Sequence, residues 1–157
     1  MTDVTRRSLT FPLLVLALAL CALAPAALAQ HKTDKEKDEP PFHAYKGVRI
    51  GMLADEARKL LGNPADKDDR QDFYSFSDSE TAQIYYDAEK KVYAISIIYM
   101  GAGAGIPTAK AVLGTDIEAK PDGSMHHRLD FPKAGCWVAY SRTGGDEPLV
   151  TVTLQKK

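Results

Sequence analysis

Short runs of aromatic and β-branched residues, divided by compact polar turns, leave this chain few folds other than an antiparallel sheet. Asp72–Phe76 is rich in aromatics, and Thr81–Asp87 alternates with Ala82, Ile84 and Tyr86 on one side. Lys91–Met100 places Tyr93, Ile95, Ile97 and Tyr99 on one side. The clusters between these runs, Ser77–Glu80 and Asp87–Lys90, are short enough for hairpins. Three further runs follow at Met125–Phe131, Gly135–Arg142 and Pro148–Gln155. Hairpin connections throughout make the sheet antiparallel.

Each set of three runs is preceded by a helical pattern. Leu53, Ala57, Leu60 and Leu61 recur at helical spacing and define an apolar face. Asp55 and Glu56 fall in the first turn, where the helix dipole favours acid, and Gly62 and Pro64 stop the helix. Ile106–Gly114 reads as a second, shorter helix after the flexible joint Gly101-Ala-Gly-Ala-Gly105. The predicted fold class is therefore α+β. Two tandem α-β-β-β units, about 42–100 and 106–155, form one antiparallel sheet with short helices packed on one face. The opposite face is left open, as antiparallel sheets allow.

Residues 1–29 read as a secretory signal peptide. Arg6 and Arg7 precede an apolar run from Leu13 to Leu23, and Ala27-Leu28-Ala29 sets a cut before Gln30. The run is shorter than the roughly 20 residues a membrane span needs, and Pro25 breaks it before the cut. The expected destination is periplasmic or secreted, with no membrane span after processing. Cys21 follows Leu18-Ala19-Leu20, which faintly resembles a lipoprotein box, but Leu20 stands where a small residue normally precedes the acylated cysteine. Thr5-Arg6-Arg7-Ser8-Leu9 lacks the phenylalanine usual in a twin-arginine signal. Residues 30–41 are charged, end in Pro40-Pro41 and lack large apolar side chains, so they read as a disordered linker to a single domain at 42–157.

The segment Val48–Pro64 resembles the opening motif of the SmpA/OmlA family of outer-membrane assembly lipoproteins. Gly51-Met52, Asp55-Glu56 and Leu60-Leu61-Gly62-Asn63-Pro64 carry the likeness, while Leu53 stands where that family usually has a capping threonine. Tandem copies of such a unit resemble the β-lactamase inhibitory protein family, although this chain lacks the cysteines for that family's disulfides. The resemblance implies helices on a three-stranded antiparallel sheet and a protein-binding, non-catalytic role.

The residues themselves supply no catalytic motif. Of 20 basic and 21 acidic residues in the whole chain, Arg6, Arg7 and Asp3 fall in the leader, so the rest is near neutral. That balance argues against nucleic acid. Cys136, beside Trp137 in an apolar run, reads as a buried inert thiol. Gly101–Gly105 lacks the third glycine of a dinucleotide-binding turn, because Ile106 occupies that position. Neighbouring His126 and His127 on a strand point to opposite faces and do not form a metal site. Asp66, Asp68, Asp69 and Asp72 lack the central glycine and distal glutamate of a calcium loop and read as solvated. No cofactor and no metal are expected.

Aromatics stand on nearly every strand: Tyr74, Tyr85, Tyr86, Tyr93, Tyr99, Trp137 and Tyr140. Alternation turns some of them away from the core. Tyr85, His127 and Trp137 are the candidate binding face, for a protein partner. The functional expectation is an exported, non-catalytic protein-binding module. Its alternatives are a cell-envelope assembly or scaffold component, lipid-anchored if Cys21 is acylated, and a small-molecule binder or enzyme using the open face.

Overall fold

The computed structural model describes residues 39–157 apart from 102 and 104. The predicted leader, with Cys21, Ala27 and Ala29, lies outside the described residues, as do Gln30 and most of the predicted linker. The elements are α1 (Ala54–Leu61), β1 (Asp66–Lys67), β2 (Gln71–Ser77), β3 (Glu80–Tyr86) and β4 (Val92–Met100). They continue with α2 (Ala109–Leu113), β5 (Met125–Phe131), β6 (Cys136–Arg142) and β7 (Leu149–Lys156).

All seven strands form one antiparallel sheet in the order β1-β2-β3-β4-β7-β6-β5. Two meanders therefore meet through their last strands. The seam runs from Ala94 opposite Gln155 to Met100 opposite Leu149. The turns are short and built by side chains. Asp87 Oδ1 accepts the backbone N–H groups of Glu89 (3.1 Å) and Lys91 (2.8 Å), which lets Lys90 adopt a positive φ of 58° between β3 and β4.

The architecture is not the expected α+β arrangement. Helix makes up only about 11% of the described chain, and the molecule is nearly all-β. The reason lies in α1. Its expected apolar face does not form, because Leu53 is 46% and Leu60 53% exposed. The helix fully buries only Ala54 and Ala57, whose side chains are too small to make a layer, with Leu61 partly buried beside them. A strap preceding it, turned back at Lys46-Gly47 so that Tyr45 pairs with Val48, fills the remaining space with those two buried side chains. This strap begins inside the predicted linker: Pro40 is buried, and the Pro41 ring would lie 3.0 Å from a Cβ added at Gly114.

The segment Val48–Pro64 shapes this entry to the sheet. Gly51 has a positive φ of 84° and donates its N–H to the Val92 carbonyl (2.7 Å), while the Met52 carbonyl accepts from Val92 N–H (2.8 Å). Leu53 caps nothing with its side chain. Instead the Lys90 carbonyl in the β3–β4 turn accepts the Ala54 N–H at 2.9 Å, so the sheet supplies the cap that a threonine would have given. Gly62 closes the helix by donating to the Arg58 carbonyl (2.8 Å), and half-buried Leu61 packs against the core.

The core is one-sided. Residues paired across the strands share a face, so Tyr74, Ala82, Ile97, Val152 and Tyr140 form one transverse row. Asp72, Ile84, Ile95, Leu154 and Val138 form the next row on the same face. All these apolar side chains are buried, and α1, α2 and the strap cover them.

Asp72 is the one charged side chain buried among the described residues, and not the solvated loop residue expected from sequence. Its carboxylate accepts from Arg58 Nε (2.8 Å) and Nη2 (3.0 Å), from the Tyr86 hydroxyl (2.7 Å) and more distantly from the Tyr74 hydroxyl (3.4 Å). A bidentate guanidinium and two phenols satisfy the charge and bind α1 to β2. The hydrogen bond to Asp72 also holds Arg58 more firmly protonated. Removing one partner of a buried pair exposes the cost of burying the other. Arg58→Ala should therefore lower unfolding stability by about 3 kcal/mol in urea. A loss below about 1 kcal/mol would instead place the pair among ordinary surface ion pairs.

Burial, with the Asp72 charge beside it, pushes the Tyr74 phenol up to about 12. Tyr86 and Tyr45 are raised further, each by burial first and then by its hydrogen bond to Asp72 or Glu80. The folded state thus holds these protons above the ordinary tyrosine value of about 10. This contribution to stability is complete below pH ~10 and is lost as pH rises from there through the folded values. In an alkaline titration, phenolate absorbance from these rings should appear together with loss of the far-ultraviolet circular dichroism. Complete ionisation near pH 10 with the sheet signal unchanged would contradict the assignment.

Candidate interaction surface

The second face of the sheet has its own transverse rows. One runs Gln71, Tyr85, Ala94, Gln155, Trp137, Asp130, and the next Phe73, Gln83, Ser96, Thr153, Ala139, Arg128. A third runs Ser75, Thr81, Ile98, Thr151, Ser141, His126. From β2 to β6 these rows carry no charged side chain. Apart from buried Ala94, none of their residues belongs to the core that the helices cover.

Aromatic groups gather at one end of this face. The Tyr85 and Tyr93 rings lie 6.1 Å apart at a 50° tilt, and the Tyr85 hydroxyl donates to Gln83 Oε1 at 2.7 Å. Along the same row, past the small Ala94, stands Trp137. The Arg128 guanidinium lies 4.3 Å from its ring centroid. Arg128 is held in turn by Asp130 (3.1 Å), which also pairs with Lys157 (3.1 Å). Those two cations, Lys157 foremost, hold the Asp130 carboxyl below its ordinary range. At the other end, Ile98, Met100 and Leu149 are exposed, with Met100 directly opposite Leu149. The face therefore has apolar or aromatic groups at both ends and hydroxyl and amide groups between them.

Tyr85 and Trp137 share this face, as expected, but His127 does not. It lies opposite Tyr140 on the core side, at the exposed edge strand, while His126 takes the open side in the row of Ser141. Strand parity fixes the difference, since successive side chains alternate. Tyr93 departs from expectation in the opposite sense. Tyr85 pairs with Ala94 but Tyr86 with Val92, so Tyr93 is the extra residue of a β-bulge and its ring joins Tyr85 instead of Ile95 and Ile97. The sequence reading also missed Phe73, Gln83, Ile98, Met100 and Leu149. Counting in twos from Tyr85 and across the seam would have reached them once the register was known.

Elsewhere, Cys136 is buried, and burial raises its thiol. Asp68 caps the backbone N–H of Gln71 (2.8 Å), and Asp69 pairs with Lys90 (2.9 Å), so both are turn residues. Among the described residues no three His, Cys, Asp or Glu side chains converge as a metal site would require, and no helix is long and apolar enough to cross a membrane. The chain matches no protein-family model, no curated protein and no solved structure.

Proposed function

We propose that this is an exported, non-catalytic module that binds another protein through the uncovered face of its sheet. The observation that carries the reading is the composition of that face. It is free of charge across five strands, with Tyr85, Tyr93 and Trp137 at one end and Ile98, Met100 and Leu149 at the other. Protein interfaces are set apart by this combination of depleted charge with Tyr, Trp, Met and Arg. Trp137, stacked under Arg128, and the Tyr85–Tyr93 pair are the anchors, because rigid rings give large contact area at low entropy cost. The partner is a folded protein with an uncharged surface rich in apolar and hydroxyl groups, since the centre of this face has no charge to pair. The leader of residues 1–29 supports an extracytoplasmic site of action, and the likeness of Val48–Pro64 to SmpA/OmlA domains supports a binding role.

Photo-crosslinking in cells expressing the full-length chain tests this. A photoreactive phenylalanine at Thr153, in the middle of the open face, should give a discrete protein adduct. The same residue at exposed Glu118, in the loop after α2, should not. Trp137→Ala should weaken adduct formation by about 30-fold, the loss of one hot-spot residue. No adduct at position 153, or equal adducts at both positions, would refute the docking surface.

A further inference from the structure

A cavity of about 350 Å³ lies where α2 and the loop after it meet β5, β6 and β7. It opens on the core side of the sheet and does not depend on the docking surface just described. Ile106, Ile117, Met125 and Val150 give it apolar walls, and Tyr140 and Arg142 stand among them. The sheet register explains the grouping. Met125, Arg142 and Val150 are paired across three adjacent strands, and Tyr140 lies two residues before Arg142 on the same face.

Two polar groups on the wall of this cavity keep donor capacity for a further partner. Tyr140 is only 4% exposed, yet its hydroxyl makes no hydrogen bond among the described residues. No fully sealed side-chain polar atom is left unsatisfied among the described residues, so this hydroxyl is not sealed off, and Tyr140 lines the cavity. Half-buried Arg142 donates from Nη1 to the Gly123 carbonyl (3.1 Å) and forms no ion pair with a carboxylate among the described residues. The acid on the cavity wall, Asp116, pairs with Lys110 at 2.9 Å. The lining thus carries one uncompensated positive charge beside a buried phenol. Burial raises the Tyr140 phenol while the Arg142 charge opposes the rise, which places the two groups within electrostatic reach. An apolar pocket with a few convergent polar groups is the usual form of a small-molecule site.

We propose that the cavity binds a small monocarboxylate with an apolar acyl or aryl body, its carboxylate accepting from Arg142 and Tyr140 and its body lying against Ile106, Ile117, Met125 and Val150. Calorimetric titration of the purified protein with decanoate, below its micellar concentration, should give saturable binding at one site. Decanol, which keeps the chain and removes the charge, should bind about tenfold more weakly, as should decanoate to Arg142→Gln. Arg142→Lys should recover part of that loss. Ile106→Trp fills the cavity without touching either polar group, and it should abolish binding while leaving the denaturation midpoint near that of the wild type. It decides the matter even if Arg142→Gln fails to fold. Absence of saturable binding, or decanoate binding unchanged by Ile106→Trp or by Arg142→Gln, would overturn the proposal and show adhesion elsewhere on the surface.

Discussion

The pairing of β4 with β7 is the constraint on which the rest of this structure depends. Each meander alone would be a three- or four-stranded sheet with an exposed hydrophobic edge. Joined from Ala94–Gln155 to Met100–Leu149, they become one sheet whose central strands carry Ile95, Ile97, Val152 and Leu154 on a single face, all of them buried. That face is wide enough to need covering from several directions, and the strap, α1 and α2 each contribute a few buried side chains. Nothing among the described residues covers the other face. The free edges fall on a two-residue β1 and on β5, whose exposed His126, His127, Arg128 and Asp130 discourage further strand pairing.

Because α1 buries little apolar surface, electrostatics must help to hold it. Arg58 reaches from its last turn to Asp72 on β2, and Tyr86 and Tyr74 complete the carboxylate's shell. The Lys90 carbonyl caps the helix start from the β3–β4 turn. Helix, turn and strand are thus tied by hydrogen bonds where Leu53 and Leu60 do not provide packing. The price of this arrangement is a buried charge, which is tolerable only while every partner is in place.

The strands were largely legible from alternation and turn chemistry, and Ala82, Ile84 and Tyr86 do share the core side as their spacing implies. The failures share physical causes. The Leu53, Leu60 and Leu61 spacing describes a helix with an apolar face, but spacing alone does not say whether the strap of Tyr45 and Val48 has already filled the space beneath it. A bulge moves Tyr93 to the opposite face without leaving a mark in the local pattern. Asp72 looks like one more acid in a run with Asp66, Asp68 and Asp69, and only tertiary contact with Arg58 and Tyr86 distinguishes it. β1 is formed by backbone pairing of Asp66 with Phe73, and an Asp-Lys dipeptide has no strand propensity to announce it. Of the candidate face, Tyr85 and Trp137 were accessible because parity within one strand suffices, whereas choosing between His126 and His127 needed the register across β5 and β6.

The functional account rests on asymmetry between a closed core face and an open second face suited to a protein partner. Hydroxyl-radical footprinting, comparing the purified protein with the protein in living cells, tests that asymmetry most directly. In the purified protein Met100, Tyr93 and Trp137 should be oxidised readily, while buried Tyr74 and Tyr86 are protected. In cells the open-face residues should become protected, whereas Leu53 and Leu60, exposed on α1 away from that face, should be labelled as before. Equal labelling of Met100, Tyr93 and Trp137 in the two settings would contradict the account.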